Sequence, residues 1–308
     1  DPPRHSTLRG LLSKAFTPSA IDAMRPWVTG LAERMAGAIG KGAEVDAVAA
    51  LTSPLPIAVI ARMMGIPNED NQNFRRWSNA IVGVQDGPID AVRMQVMMEL
   101  RAYFLAQAKQ RRIAPGDDLI TALVRADESG VMLSDEEIVG FCILLLIAGN
   151  ETTTNLLGNL LNRLAQGEGD WARMKRDPAL LDNAIEEALR LDSPAQFVFR
   201  TVREDAELAG HRLKAGDRVI VYLAAANRDP DKFADPAGFD FARAIQRHVA
   251  FGQGVHTCIG APLSRLEAQC VMRALVSRFD GVRPGAAPAK RIRSGLLFGF
   301  ESLPLVFA

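Results

Sequence analysis

The stretch of residues 134 to about 165 constrains the fold more than any other part of this chain. In "LSDEEI", Ser134 stands three residues ahead of Glu137, the spacing at which a hydroxyl and a carboxylate cap each other's backbone N–H groups at a helix start. The apolar run 138–149, "IVGFCILLLIAG", follows and stops at Asn150 and Glu151, short of the ~20 residues of a membrane-spanning helix. Helical spacing then continues to about Ala165. A helix this long and apolar has to be central, with other elements wrapped around it. The chain supplies the material: 308 residues, 48% of them hydrophobic, are enough for a large core.

The remaining elements follow from periodicity and breaks. Residues 18 to about 126 are alanine- and leucine-rich, with apolar positions at helical spacing and breaks at "TSPLP", "GIPNED" and "APGDD", which predicts a run of helices. "ALLDNAIEEALRLDSP" predicts a helix ended by Pro194, and "FVFRTV" with "AELAGHRLKAGDRVIVYL" predicts short strands joined by turns at "AGH" and "KAGD". An irregular loop over 228–246 precedes a helix from near Ala261 to about Phe279, and "GLLFGFESLPLVF" predicts a terminal hairpin. The class is mainly α with a minor β region, in one domain over 1–308.

Charge excludes some functions. Lysine plus arginine equal aspartate plus glutamate at 36 each, so no net field draws nucleic acid or an anionic membrane to the chain. Cys142, Cys258 and Cys270 are an odd set in a long chain, which favours a reducing compartment, the cytoplasm, over a disulfide framework.

One of these cysteines stands apart. In "HVAFGQGVHTCIG", Cys258 follows Gly252 and Gly254, precedes Gly260, and opens onto a helical pattern. Glycines let backbone approach a flat ligand closely, and a helix N-terminus favours thiolate. A zinc site needs further ligands, and His248 and His256 lack a cysteine pair at finger spacing. An iron held by a macrocycle needs one axial thiolate. A catalytic cysteine beside His256 and a buried structural cysteine are the rival readings.

Phe251, Gly252, Gly254, His256, Cys258 and Gly260 resemble the haem-binding signature of the cytochrome P-450 family. The resemblance implies that Cys258 is the proximal thiolate ligand of haem iron, which favours O–O cleavage, and that His256 bonds a haem propionate. Other landmarks follow in order. "AGNETT" resembles the family's oxygen-activation pattern. It implies that Ala148 and Gly149 leave room for haem and dioxygen, that the Thr152 hydroxyl steadies the oxygen being activated, and that Glu151 connects it to solvent. "EEALR" supplies Glu187 and Arg190 on one helix face, and Arg243 matches the third member of the family's structural ionic triad. "DPPRHSTLR" resembles a propionate-binding helix with His5 and Arg9, and Arg200 matches another propionate-binding arginine.

The resemblance covers the whole chain and implies a cytochrome P-450 fold with bound haem b, N-terminally incomplete. Members carry roughly a quarter more sequence ahead of this point, with the first helices and the leading sheet strands. Substrate contacts are implied at Leu144, Ile147 and Ala148, at Ala195, Gln196, Phe197 and Val198, and at Leu296, Leu297 and Phe298. These are nearly all apolar, which suits a small lipophilic substrate with Gln196 as its polar handle. No flavin or iron–sulfur pattern is present in the sequence, so electrons are expected from a ferredoxin-type donor with its reductase, docked on Arg4, Lys14, Arg265 and Arg273. The expected activity is O2-dependent monooxygenation in the cytoplasm. The alternatives are a haem sensor or carrier without turnover, and a peroxide-using haem-thiolate enzyme.

Overall fold

The computed structural model describes residues 1–67, 70, 73, 74, 76, 77, 91–126, 130–167, 169–243 and 247–308. Its helices are α1 (Arg4–Ser13), α2 (Pro18–Ala23), α3 (Arg25–Ala38), α4 (Pro54–Met63), α5 (Ala91–Ile113), α6 (Leu119–Val124), α7 (Asp135–Gln166), α8 (Asp170–Arg176), α9 (Leu180–Leu191), α10 (Leu223–Ala226) and α11 (Ala261–Arg278). Part of the "GIPNED" break and the end of the loop expected over 228–246 lie outside the described residues.

Helix α7 is the long element the sequence predicts. Both halves of its capping box form: Ser134 N donates to Glu137 Oε2 at 2.9 Å and Glu137 N to Ser134 Oγ at 3.3 Å. Its 32 residues span about 48 Å, and α4, α5, α9 and α11 all pack against it. The apolar character resumes beyond the 138–149 run, with Leu156, Leu157, Leu160, Leu161 and Leu164 fully buried. By length and composition alone α7 is long and apolar enough to cross a membrane, as buried core helices also can be. Protein covers its second half, whereas its first half leaves Gly140, Leu144 and Ala148 exposed, a stripe at i, i+4 and i+8.

The strands are β1 (Glu44–Asp46), β2 (Phe197–Thr201), β3 (Ala206–Leu208), β4 (His211–Leu213), β5 (Arg218–Tyr222), β6 (Val282–Pro284), β7 (Lys290–Arg291), β8 (Phe300–Ser302) and β9 (Pro304–Phe307). They form one antiparallel sheet in the order β1-β9-β6 and three two-stranded pairs, β2-β5, β3-β4 and β7-β8. The "AGH" turn holds Ala209 at φ 49 and Gly210 at φ 80, the left-handed pair that joins strands with the correct twist. The terminal hairpin differs from expectation. Its arms are β7 and β8, so Leu296–Phe298 (296–298) lies in its loop, and after Pro304 the chain leaves to become the central strand of another sheet.

Candidate functional site

The cysteine loop is built by two glycines in conformations other residues rarely adopt, Gly252 at φ 68 and Gly254 at φ 78. They allow two successive turns, Gly252 N to Val249 O at 2.8 Å and Thr257 N to Gly254 O at 3.0 Å, and Cys258 N closes the loop onto Phe251 O at 2.9 Å. Cys258 ends the loop two residues before Gly260, the N-cap of α11. Its side chain is exposed on one side and crowded by protein on the others. Burial raises the thiol pKa, while the N–H groups of Gly260 and Ala261, with Arg9 and Arg265, oppose that rise. Those donors and cations are poised to stabilise a thiolate once a metal replaces the proton. Among the described residues no three His, Cys, Asp or Glu side chains converge as a metal cage, so the thiol suits a metal held mainly by other atoms.

Cationic groups gather beside the loop. Arg9 donates to Thr257 O at 2.7 Å, and the His5 and His256 rings lie 4.1 Å apart. His256 Nε2 faces Asp1 Oδ1 at 2.7 Å. Partial burial first, and then the positive field of its neighbours, lower the pKa of both rings; Arg200 and Arg9 contribute to that field at His256. His5 Nδ1 is buried without a hydrogen-bond partner. The orphaned nitrogen leaves a hydrogen-bonding position open beside His256 and Arg9, where a guanidinium suits an anion.

The α7 side differs in character. Leu144 is 58% exposed and Ile147 half-buried beside exposed Ala148, an apolar stripe that needs an apolar cover. The Thr152 hydroxyl donates back along its helix to Ala148 O at 3.0 Å. Burial pushes Glu151 up to about 7, near the pKa at which a carboxyl both holds and releases a proton at neutral pH. One hydrogen bond, Thr153 Oγ1 to Ser264 Oγ at 3.2 Å, ties α7 to the first turn of α11. A flat apolar ligand bearing carboxylates and a thiophilic metal fits the stripe, the cations and the thiol together.

Gly149 requires a correction. Its missing Cβ would meet Ile60 of α4 at 3.2 Å. The glycine therefore permits close helix packing on the far side, and Ala148 alone of the pair is exposed.

Glu187 and Arg190 are buried at 5% and 2% exposure and joined by two hydrogen bonds of 2.8 and 2.7 Å. Arg190 also donates to the carbonyls of Asn227, Pro236 and Gly238 at 2.9 Å. Arg243 reaches Glu187 Oε1 at 3.3 Å. The segment after Pro194 meets the hairpin loop through Gln196 N to Leu296 O and Phe298 N to Pro194 O, both 2.8 Å, and an Ala195–Leu297 bridge. Within this zipper Ala195, Gln196, Phe197 and Val198 are half-buried, Leu297 is buried and Leu296 is more exposed. Arg291 lies over Phe298 at 4.2 Å. The Gln196 amide is oriented by its Nε2, which donates to Ser193 O at 2.6 Å.

The expected basic patch is also revised: Arg265 is held by Glu186 and Arg4 by Glu137, while Lys14 and Arg273 are exposed. Sequence reasoning missed Glu186 and Asn227, and weighed His248 only as a zinc ligand, not as the partner of Glu186. Asn227 is fully buried and accepts from Val249 N at 2.7 Å, which fixes the start of the cysteine loop; only its place beside a proline-bearing break, "NRDP", hints at this.

Comparison with known proteins agrees with the geometry. The cytochrome P-450 family profile matches residues 170–303. The polyketide biosynthesis cytochrome P-450 PksS of Bacillus subtilis is 38% identical over 99% of this chain and 76% of its own length. The 6-deoxyerythronolide B hydroxylase of Saccharopolyspora erythraea is 37% identical, with 99% of this chain and 76% of its own length covered. CYP109E1 of Bacillus megaterium, solved in complex with testosterone, superposes with a TM-score of 0.90 at 41% identity, covering 99% of this chain and 84% of that one. The chain belongs to the cytochrome P-450 family of haem-thiolate monooxygenases.

Proposed function

We propose that this chain, as a single haem domain, uses O2 to hydroxylate or otherwise oxidise a small lipophilic substrate in the cytoplasm, with electrons from a separate ferredoxin-type donor and its reductase. The observation that carries the reading is Cys258 itself. It is a solvent-reached sulfur flanked by backbone N–H donors at the head of α11, facing no protein metal cage and standing beside a cation cluster with an orphaned His5 nitrogen.

In this reading Cys258 Sγ would bind the iron of haem b, and His5, Arg9, Arg200 and His256 would hold the propionates. Phe251, Gly252, Gly260 and Ala148 would line the space for the ring. When bound, the haem supplies oxygen binding and activation. The chain's own residues do the rest. Leu144, Ile147, Ala195, Phe197, Val198, Leu296, Leu297 and Phe298 present a mostly apolar lining that desolvates the substrate. Glu151 holds a proton at neutral pH, and the Thr152 hydroxyl is the next donor along the helix; turning from Ala148 O frees it to pass that proton on. Glu187, Arg190 and Arg243 fix the backbone behind the cysteine loop. The substrate class agrees with CYP109E1, whose structure contains testosterone.

The test is the difference spectrum of the dithionite-reduced protein on adding carbon monoxide. A Soret band displaced far to the red marks thiolate opposite CO. A band typical of histidine or neutral thiol ligation, or no band, rejects Cys258 as the ligand.

A further inference from the structure

Beside the buried triad, on the same helix, stands a second carboxylate that the triad does not use. Glu186 lies on α9 next to Glu187, and it holds two cationic or N–H-bearing side chains that come from opposite ends of the cysteine loop. From the loop's start, His248 Nε2 meets Glu186 Oε2 at 3.0 Å. From the helix beyond the cysteine, Arg265 donates Nε to Oε1 at 2.6 Å and Nη2 to Oε2 at 2.8 Å, the bidentate fork in which guanidinium binds carboxylate most strongly. His248 and Arg265 thus enclose Cys258 in sequence, and one carboxylate closes the bracket.

Each arm also reaches the loop's interior. The Arg265 guanidinium lies 4.6 Å over the Phe251 ring, and Phe251 O is the acceptor for Cys258 N. The His248 ring is 5% exposed, and its Nδ1 accepts from Ala250 N at 3.2 Å. The ring proton therefore sits on Nε2, pointing at Glu186. Burial raises the Glu186 pKa, but the Arg265 and His248 hydrogen bonds reverse that effect and hold it at about 2, so the bracket is closed by a fixed negative charge.

We propose that Glu186 is a positioning residue for the haem thiolate: it sets where Cys258 Sγ stands and, by neutralising Arg265, limits the positive field at the sulfur. The inference rests on Cys258 being the ligand. Removing the charge frees the Arg265 field to act on the thiolate and loosens Phe251, the residue that registers Cys258.

The experiment compares haem-loaded wild type with Glu186→Gln and Glu186→Asp by three readouts: the fraction of haem in the red-shifted CO band, the midpoint potential, and the rate of haem transfer to apomyoglobin. Glu186→Gln is expected to lose a large part of that band, to shift the potential positive because a negative charge near the iron is gone, and to release haem several-fold faster; Glu186→Asp restores much of each. Asp118→Asn serves as the structural control, since Asp118 pairs with Arg111 in another buried bridge; it is expected to lower the melting temperature and leave band and potential in place. Wild-type band, potential and haem release in Glu186→Gln overturn the proposal, as does an equal loss in Asp118→Asn. If Glu186→Gln does not fold, Arg265→Lys is read instead, because it keeps charge but loses the fork and the planar stack; a wild-type band and haem release there also overturn it. A wild type without the red-shifted band defeats the parent reading, and this inference with it.

Discussion

The thiol side and the α7 side of the site are held by different kinds of bond. Around Cys258, charges from separate elements cross-link: Glu186 of α9 to Arg265 of α11 and His248, Arg190 to the 227–238 segment, Asn227 to the loop's first residues. On α7 the polar bond described for Thr152 is local, its neighbour Thr153 reaches Ser264, and the exposed stripe is Gly140, Leu144 and Ala148. Bonds across elements fix a position, because moving one partner breaks several; a bare apolar face fixes nothing and adapts to what covers it. Cross-element polar bonds thus concentrate around the sulfur, while the stripe at Leu144 and Ala148 is left open.

This contrast can be broken most severely at the sulfur. Cys258→Ser is expected to abolish the red-shifted CO band entirely, measured in the reduced protein. Glu187→Gln comes next: it leaves Arg190 charged and buried at 2% exposure, an expected loss of about 3–5 kcal/mol, read by urea denaturation of the haem-loaded protein. On the permissive side, Thr152→Ala should leave folding and haem binding intact while product per NADH falls at least on the order of 10-fold, with peroxide making up the balance.

A finer probe of the α7 side is pH. Glu151 ionises at about 7, so turnover that uses its proton is expected to decline as pH rises through that value, and Glu151→Gln should erase the limb. The same raised pKa works against stability: the neutral acid is favoured on folding, so the contribution present below the ordinary glutamate range is lost as pH rises through about 7. Urea midpoints across pH 5 to 8 in wild type and Glu151→Gln check that sign. Least affected is Gly149→Ala, where the helix-propensity gain of about 1 kcal/mol offsets a comparable cost of pressing on Ile60 at 3.2 Å. Adding Ile60→Val should turn the balance favourable, as a thermal melt would show.

Legibility followed the range of the interactions. The capping box of α7, the glycines at 252 and 254 and the "AGH" turn were readable because their physics is local: a hydroxyl three residues from a carboxylate, or a φ only glycine takes easily. Glu187 and Arg190 were readable as a pair for the same reason, and Arg243 only through family resemblance. Glu186 was not, since an adjacent glutamate on a helix carries no sign of which remote arginine it will meet. The anchoring of Gln196 was not readable because its acceptor is a backbone carbonyl, which no side-chain pattern reveals. The terminal hairpin was misplaced because Pro304 sends its second expected arm to another sheet. Gly149 was assigned to the wrong face because the sequence shows a small residue, not the direction of the missing Cβ.

The close approach of Gly149 to Ile60 has a consequence for how this site can vary. The seat of α7 is set from behind, by α4 side chains on the face away from the exposed stripe. A change of one methyl group on α4 can tilt or shift the whole apolar stripe while leaving every lining residue the same. Two such chains with identical stripe residues would then carry the stripe at different depths, set by a wall that the stripe itself does not reveal.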